Sequence, residues 1–385
     1  MNHKFWSTQP INTDIILEEE NRLDINKEIS QIKLEDVPII PYALPEGFEW
    51  VTFNLSDDSD LELLYQFIHH FYKNNTDTKI YFNYSKQFLK WYLLTSNHYN
   101  DLFIGVKCKS KIVASICGVP IKIKIFDKEV NMIEINFLCI HHSLRNKRLS
   151  PVLIKEITRR ANLHNIYQAF YTGGLELPNK IIGGNYYHRP LNIPKLVEMD
   201  YIDPPNKISL KSYCKLYNTL DSLTLNIRLL EEKDCIEVCK KLNEYNEKFK
   251  INIIFDYEEF NQKFLVNEKE NIIYSYVVEN NKGEITDFIS LYYLPSQVKN
   301  NSKYNEITKA YIYYYFSNDL IKLVDNALYL MKNKEIDIIN CVDQYNNNLF
   351  LEKLKFKKGP VTLYFYLYNW ICPQIENKDM SLVMC

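Results

Sequence analysis

Asn131 to Arg160 reads N-M-I-E-I-N-F-L-C-I-H-H-S-L-R-N-K-R-L-S-P-V-L-I-K-E-I-T-R-R. It joins an apolar strand to an amphipathic helix through a basic loop. Met132, Glu134, Asn136, Leu138 and Ile140 alternate with Ile133, Ile135, Phe137 and Cys139, and the second set is wholly apolar, as a strand with one face in a core requires. Val152, Ile154, Ile157 and the polar residues between them then follow helical spacing. Ser150 suits the N-cap and Pro151 the first helical position, because the amide that proline lacks would go unbonded there anyway. The free amides of that first turn, with Arg145, Lys147 and Arg148 in the loop, form an anion site suited to a pyrophosphate.

Composition narrows what such a site serves. A chain of 385 residues can hold two or three cores. Its formal net charge of −2 gives no general reason to expect nucleic acid, so the basic loop is a local feature. Nine cysteines, odd in number and without a C-x-x-C pair, read as reduced thiols of a cytoplasmic protein. Cys139, His141 and His142 find no second ligand cluster, so no metal is expected. Trp6, Ser7, Thr8 and Gln9 stand where a signal peptide needs its apolar run. No stretch reaches transmembrane length, and Leu382 occupies the position a prenylated cysteine would need.

The order of elements repeats. Leu102–Val106 and Ile112–Val119, the latter ending at Pro120, make a hairpin about a charged turn; Ile272–Glu279 and Glu284–Leu294, ending at Pro295, make another. Each is followed by a strand (Met132–Ile140 or Ala310–Phe316), a helix (Pro151–Leu163 or Asp319–Met331) and a short strand (Ile166–Tyr171 or Ile336–Asn340). Asp203-Pro204-Pro205-Asn206-Lys207 places the boundary, giving halves 1–203 and 204–385. Leu230–Glu244 is a helix opening the second half, and residues 11–40, with Glu18, Glu19 and Glu20, form a surface strap.

E-I-N-F-L-C-I-H at Glu134 to His141, followed by K-R-L-S-P-V-L-I-K-E-I-T-R-R, resembles a signature of the protein N-myristoyltransferases. K-F-W-S-T-Q-P from Lys4, P-Y-A-L-P-E-G-F-E-W from Pro41, Y-T-G-G from Tyr171 and Y-Y-H-R from Tyr186 extend the resemblance through the first half. S-Y-V-V-E from Ser275, I-T-D-F from Ile285, F-L-E-K-L-K-F from Phe350 and Y-L-Y-N-W from Tyr366 extend it through the second. It implies an α/β (α+β) fold: two acetyltransferase-like halves, related by a pseudo-twofold axis, sharing a saddle-shaped mixed sheet. The implied activity moves myristate from myristoyl-CoA, a co-substrate, to the N-terminal glycine of polypeptides. The enzyme would be a monomer needing no prosthetic group. A related acyltransferase of other chain length or amine, and a CoA-binding scaffold that has lost catalysis, are the alternatives.

The resemblance also assigns residues. The backbone amides of Phe137 and Leu138 would form an oxyanion hole, and the C-terminal carboxylate of Cys385 would take the proton of the glycine amine. A free α-carboxyl and an α-amino group differ by roughly 4 to 5 pKa units, about 6 kcal/mol. Burial narrows that gap, which suits the apolar tail Leu382-Val383-Met384-Cys385. Lys4, Phe5 and Trp6 would meet the adenine end of the donor. Cys139, Ile140, Arg145, Asn146, Lys147, Arg148, Leu149, Ser150 and Pro151 would surround its thioester and phosphates. The peptide would lie against Tyr72, Asp77, Phe82, Tyr84, Thr172, Tyr186, His188, Tyr292, Ser296, Asn340 and Leu382. Two departures stand out. Lys73-Asn74-Asn75-Thr76-Asp77 replaces an acidic run that follows the family's matching tyrosine, and Gly359-Pro360-Val361 replaces G-D-G. Both remove acids that would receive a basic residue of the peptide.

Overall fold

The computed structural model describes residues 5–11, 25–72, 80–204, 208–265, 270–299 and 301–385. Lys4, Asp77 and Glu18 to Glu20 fall outside these. A single sheet of thirteen strands organises the chain. The first half contributes β1 (Phe48–Thr52), β2 (Phe103–Cys108), β3 (Lys111–Ile125), β4 (Lys128–Ile140), β5 (Gln168–Gly173) and β6 (Lys180–Pro190). The second contributes β7 (Ile227–Leu229), β8 (Ile251–Ile253), β9 (Ile273–Glu279), β10 (Ile285–Tyr293), β11 (Lys309–Phe316), β12 (Ile338–Val342) and β13 (Lys357–Tyr368).

The spatial order is β1-β2-β3-β4-β5-β13-β6-β12-β11-β10-β9-β7, with β8 paired beside β3. It is a palindrome: exchanging β1 with β7, β2 with β9, β3 with β10, β4 with β11, β5 with β12 and β6 with β13 returns the same order. The internal repeat thus becomes a pseudo-twofold symmetry in which each half lends its last long strand to the other. Helix α3 (Leu149–Leu163) crosses from β4 to the parallel β5, and α6 (Leu320–Asn333) crosses from β11 to the parallel β12.

Helices α1 (Asp58–Phe71) and α2 (Lys86–Leu93) begin at Asp57 and Ser85, whose side chains accept backbone amides of the first turn. With α4 (Cys235–Asn246) and α5 (Tyr257–Phe264) they bury Leu64, Phe88, Val238 and Phe260 in one large core. The tail residues Met380, Leu382 and Met384 belong to that core. Separate clusters form under α3 and under α6.

Three local expectations are corrected. Strand β3 does not end at Pro120 but continues to Ile125, with Pro120 opposite Ile133. Pro120 lies between the last β2 pair, Phe103–Cys117, and the first β8 pair, Ile253–Ile123. One strand edge is unpaired there, so the missing amide costs no ladder bond. Helix α3 is capped by Arg148, at φ 61°, which puts Ser150 and Pro151 inside its first turn. The amides of that whole turn lack intrahelical partners, so proline is tolerated there too. Finally, β4 is buried on both faces: Met132 faces the large core and Ile133 the cluster under α3.

Candidate active site

The centre of the site is a break in β4. Pairing with β3 runs from Ser115–Cys139 directly to Cys117–Asn136, so Phe137 and Leu138 together stand opposite Ile116. Two residues against one make a β-bulge. Phe137 takes φ 50°, a conformation that costs a non-glycine residue about 1 kcal/mol or more. The buried Ser115 hydroxyl donates to the Phe137 carbonyl at 3.0 Å and holds the bulge. The extra residue reverses the facing of the strand. Phe137 joins the large core, whereas Leu138 lines the same cavity as Ile133 and Ile135.

The bulge also ends the pairing of β4 with β5, whose register stops at Ile135–Tyr171. Beyond that point two parallel strands lead apart, and an apolar cavity of about 160 Å³ occupies the region. Ile154 and Ile157 of α3 line it, with Leu138, Tyr171, Thr172 and Trp6. Trp6 is set there by stacking on Tyr171, with centroids 5.7 Å apart and planes 6° from parallel. Phe5 meets Trp6 edge-on at 5.1 Å. A larger cavity, about 960 Å³, opens between the halves among Lys195, Tyr274, Lys334 and Asp337. It touches none of the expected site residues.

On the other side of the bulge the expected peptide residues gather into one aromatic assembly. Phe137 meets Tyr84 at 5.2 Å and Tyr72 at 5.6 Å, both edge-on. Phe82 lies 5.9 Å from Tyr84, and Tyr292 stacks on Tyr311 at 4.9 Å. Ser296, buried, pairs with Phe82 across a small separate sheet. Tyr186 and His188 face Val342 and Asn340 across β6 and β12. His188 Nδ1 lies 2.6 Å from Asn340 Oδ1, which leaves Nε2 as an acceptor when the ring is neutral. Burial lowers the His188 pKa and favours that neutral form. Burial also pushes the Cys139 thiol up to about 12. Cys139 is therefore a packed thiol and not a nucleophile.

The chain terminus enters this assembly through successive backbone bonds. Ser381 N donates to Ile251 O at 2.9 Å, Gln344 Nε2 to Leu382 O, and Val383 N to the Tyr314 hydroxyl at 3.1 Å. Tyr292 donates to Met384 O at 3.4 Å, and Cys385 N donates to the Tyr92 hydroxyl at 3.3 Å. Tyr92 is itself 6.4 Å from Phe137, edge-on. Bulge and terminus, 248 positions apart in the chain, are thus joined through one side chain.

The basic loop divides its cations. Arg145 donates to Phe71 O at 3.0 Å and to Ile140 O at 3.3 Å, which ties the loop to α1 and β4. Asn146, Lys147 and Arg148 are exposed beside the first turn of α3, where Leu149 is buried and Ser150 half-buried. Asn146 and Arg148 both take positive φ, at 65° and 61°. Pro360 lies exposed at a second bulge, where the β13–β6 register jumps from Lys358 to Thr362. Gly359 approaches His188 so closely that an added Cβ would come within 2.3 Å of Nε2.

Sequence reasoning missed Tyr92, Glu134 and Asn136. Glu134 and Asn136 sit in the quoted strand, where alternation alone gives them no role. Asn136 Nδ2 is buried beside the bulge with no hydrogen-bond partner among the described residues. Tyr92 carried no signal beyond its place in an aromatic-rich helix. Among the described residues no cluster of three His, Cys, Asp or Glu could hold a metal, and no helix is long and apolar enough to cross a membrane.

A glycylpeptide N-tetradecanoyltransferase of Drosophila melanogaster is 37% identical over 99% of the chain and 80% of its own length. One of Plasmodium falciparum is 37% identical over 100% and 94%. The crystal structure of Saccharomyces cerevisiae N-myristoyltransferase with bound myristoyl-CoA superposes with a TM-score of 0.92, at 33% identity, over 100% of this chain and 99% of that one. The models of the myristoyl-CoA:protein N-myristoyltransferase N-terminal and C-terminal domains match residues 28–183 and 198–382, and the chain belongs to that family of acyltransferases.

Proposed function

We propose that the chain transfers myristate from myristoyl-CoA to the N-terminal glycine amine of polypeptides by direct aminolysis, using the β4 bulge as oxyanion hole and the C-terminal carboxylate as base. One observation carries the reading. Tyr92 lies 6.4 Å from the ring of Phe137 in the bulge and accepts the amide of the terminal Cys385 at 3.3 Å, so the displaced strand and the chain terminus share one neighbour.

In this reading the exposed Lys147 and Arg148, with the open first turn of α3, hold the donor's pyrophosphate. Phe5 and Trp6 close over the donor. The acyl chain enters the apolar cavity past Leu138, which sets the thioester carbonyl against the bulge. The glycine amine attacks the carbonyl carbon, and negative charge on oxygen is met by the amides of Phe137 and Leu138. The Cys385 carboxylate accepts a proton from the nitrogen and returns it to the sulfur as the C–S bond breaks, so the amide forms, CoA departs as its thiol and the carboxylate is regenerated. Desolvation among Tyr84, Tyr92, Tyr186 and Tyr292 raises the carboxylate's basicity and lowers the amine's. The peptide continues along Tyr72, Phe82, Tyr186, His188, Asn340 and Ser296.

Residues 1–203 thus supply donor binding, the oxyanion hole and one wall of the peptide groove, and residues 204–385 supply Tyr292, Ser296, Asn340 and Leu382 of that groove and the base. All of these come from one chain, which fits a monomer. All nine cysteines are free thiols, which fits a cytoplasmic setting. The test is acyl transfer to a glycine-initiated peptide from acyl-CoAs of graded length, read by mass spectrometry of the peptide. A maximum at fourteen carbons, with the adduct on the α-amine, is expected. A maximum at two to four carbons, or no adduct, would overturn the reading.

A further inference from the structure

Around the terminus lies a group of buried polar side chains to which aminolysis gives no task. Tyr92, on α2, is 3% exposed, and Glu134, three residues before Phe137, is 6% exposed. The Tyr92 hydroxyl donates to Glu134 Oε1 while it accepts the Cys385 amide. From α5, the Lys263 ammonium lies 6.0 Å from the Tyr92 ring centroid and 3.3 Å from Glu259, and both charged residues are buried. Burying these groups is unfavourable where an apolar packing would not be.

We propose that Tyr92 is a positioning residue for the C-terminal carboxylate, and that Glu134 fixes the direction of the Tyr92 hydroxyl. This deepens the mechanism above and rests on the carboxylate being the base. The peptide group between Met384 and Cys385 is held on both sides: its carbonyl accepts from Tyr292 and its N–H donates to Tyr92. With that plane fixed, only the two soft torsions of the last residue remain to aim the carboxylate. A phenol hydroxyl can turn either way about its C–O bond. Donating its one hydrogen to Glu134 leaves its lone pairs for the Cys385 amide. Lys263, paired with Glu259, places positive charge against the Tyr92 ring.

The experiment uses the full-length chain with its native terminus. Tyr92→Phe should lower the single-turnover rate of transfer from myristoyl-CoA about tenfold or more, since small misplacements of reacting groups are costly. The Kd for myristoyl-CoA should stay within about twofold, because the donor site is untouched. Glu134→Leu should lose as much, and Glu134→Gln, which still accepts from the hydroxyl, should recover most of it. Carboxypeptidase should release Cys385 faster from Tyr92→Phe than from the parent chain. An enzyme with residues added after Cys385 runs in parallel. If the extension abolishes transfer while Tyr92→Phe keeps the parent rate, the positioning role is overturned and the carboxylate base stands. If the extended enzyme transfers normally, the base assignment falls and the positioning role with it. Should Tyr92→Phe not fold, equal rates in Glu134→Leu and Glu134→Gln would overturn the proposal.

Discussion

Glu156 and Arg159 are joined by two hydrogen bonds, Nε to Oε2 at 3.0 Å and Nη2 to Oε1 at 2.7 Å, inside a helix that begins at the proposed phosphate site. Arg160 adds a third bond to Oε1 at 2.8 Å, and the Tyr42 amide a fourth to Oε2. The two guanidiniums reach onward to Pro38 O, Ile39 O, Thr52 and Asp101 O, so α3 is tied to the strap, to β1 and to the turn before β2. Burial alone would raise the Glu156 carboxyl, but the bonds from Arg159, Arg160 and Tyr42 outweigh it and hold its pKa below the ordinary 4.5. A depressed carboxylate stabilises the fold fully above its unfolded pKa and loses that contribution as pH falls below it. Glu156→Gln should therefore cost about 3 to 5 kcal/mol near neutrality by leaving buried guanidiniums unpaired. Its stability should also depend less on pH below about 4.5 than the parent's. Urea melts at neutral and acid pH measure both.

Arg148→Glu should weaken CoA and myristoyl-CoA alike, by about 1.5 to 3 kcal/mol, since both carry the pyrophosphate and a charge-assisted contact is lost. Calorimetry with CoA reads it. Arg145→Ala should act differently: Arg145 holds the loop to Phe71 O and Ile140 O, so its loss should show first in stability.

Pro360 stands exposed beside Gly359 and His188, where the family carries an acid. Lys357 and Lys358 flank it, both exposed, so the bulge is basic. A lysine in the middle of the peptide should thus raise kcat/KM little, and the effect should respond weakly to salt, since exposed pairs are worth about 0 to 1 kcal/mol. Pro360→Asp should increase the preference for lysine over alanine at that peptide position and leave the preferred acyl length unchanged. Paired peptides at low and high ionic strength provide the measurement.

Much of this was legible in the sequence because it depends on local patterns. The element order of Phe103–Gly173 and its repeat in Ile273–Val342 follow hydrophobic period and turn chemistry. The exchange of β6 and β13 between halves was not legible, since strand neighbours distant in sequence leave no local trace. Nor was the bulge: strict alternation in β4 predicts Phe137 on the face of Ile133, and only the extra residue opposite Ile116 sends it to the other core. Pro151 suggested the helix start two residues late, because proline suits any position in a first turn. Tyr72, Phe82, Tyr84, His188 and Asn340 came from family resemblance, and the fold brings them together. Tyr92 and Glu134 were invisible because their meeting depends on where the last residue of the chain comes to rest.

The central claim is that the chain's own terminal carboxylate is the base. Its most direct test is the single-turnover rate of myristoyl transfer by the native enzyme and by one with a few residues added after Cys385, with myristoyl-CoA affinity measured alongside. The account predicts a severe loss of transfer in the extended enzyme, donor affinity nearly intact, and near-normal transfer in Cys385→Ala, which keeps the carboxylate. Equal transfer by the native and extended enzymes, with the extension verified as retained, would contradict it.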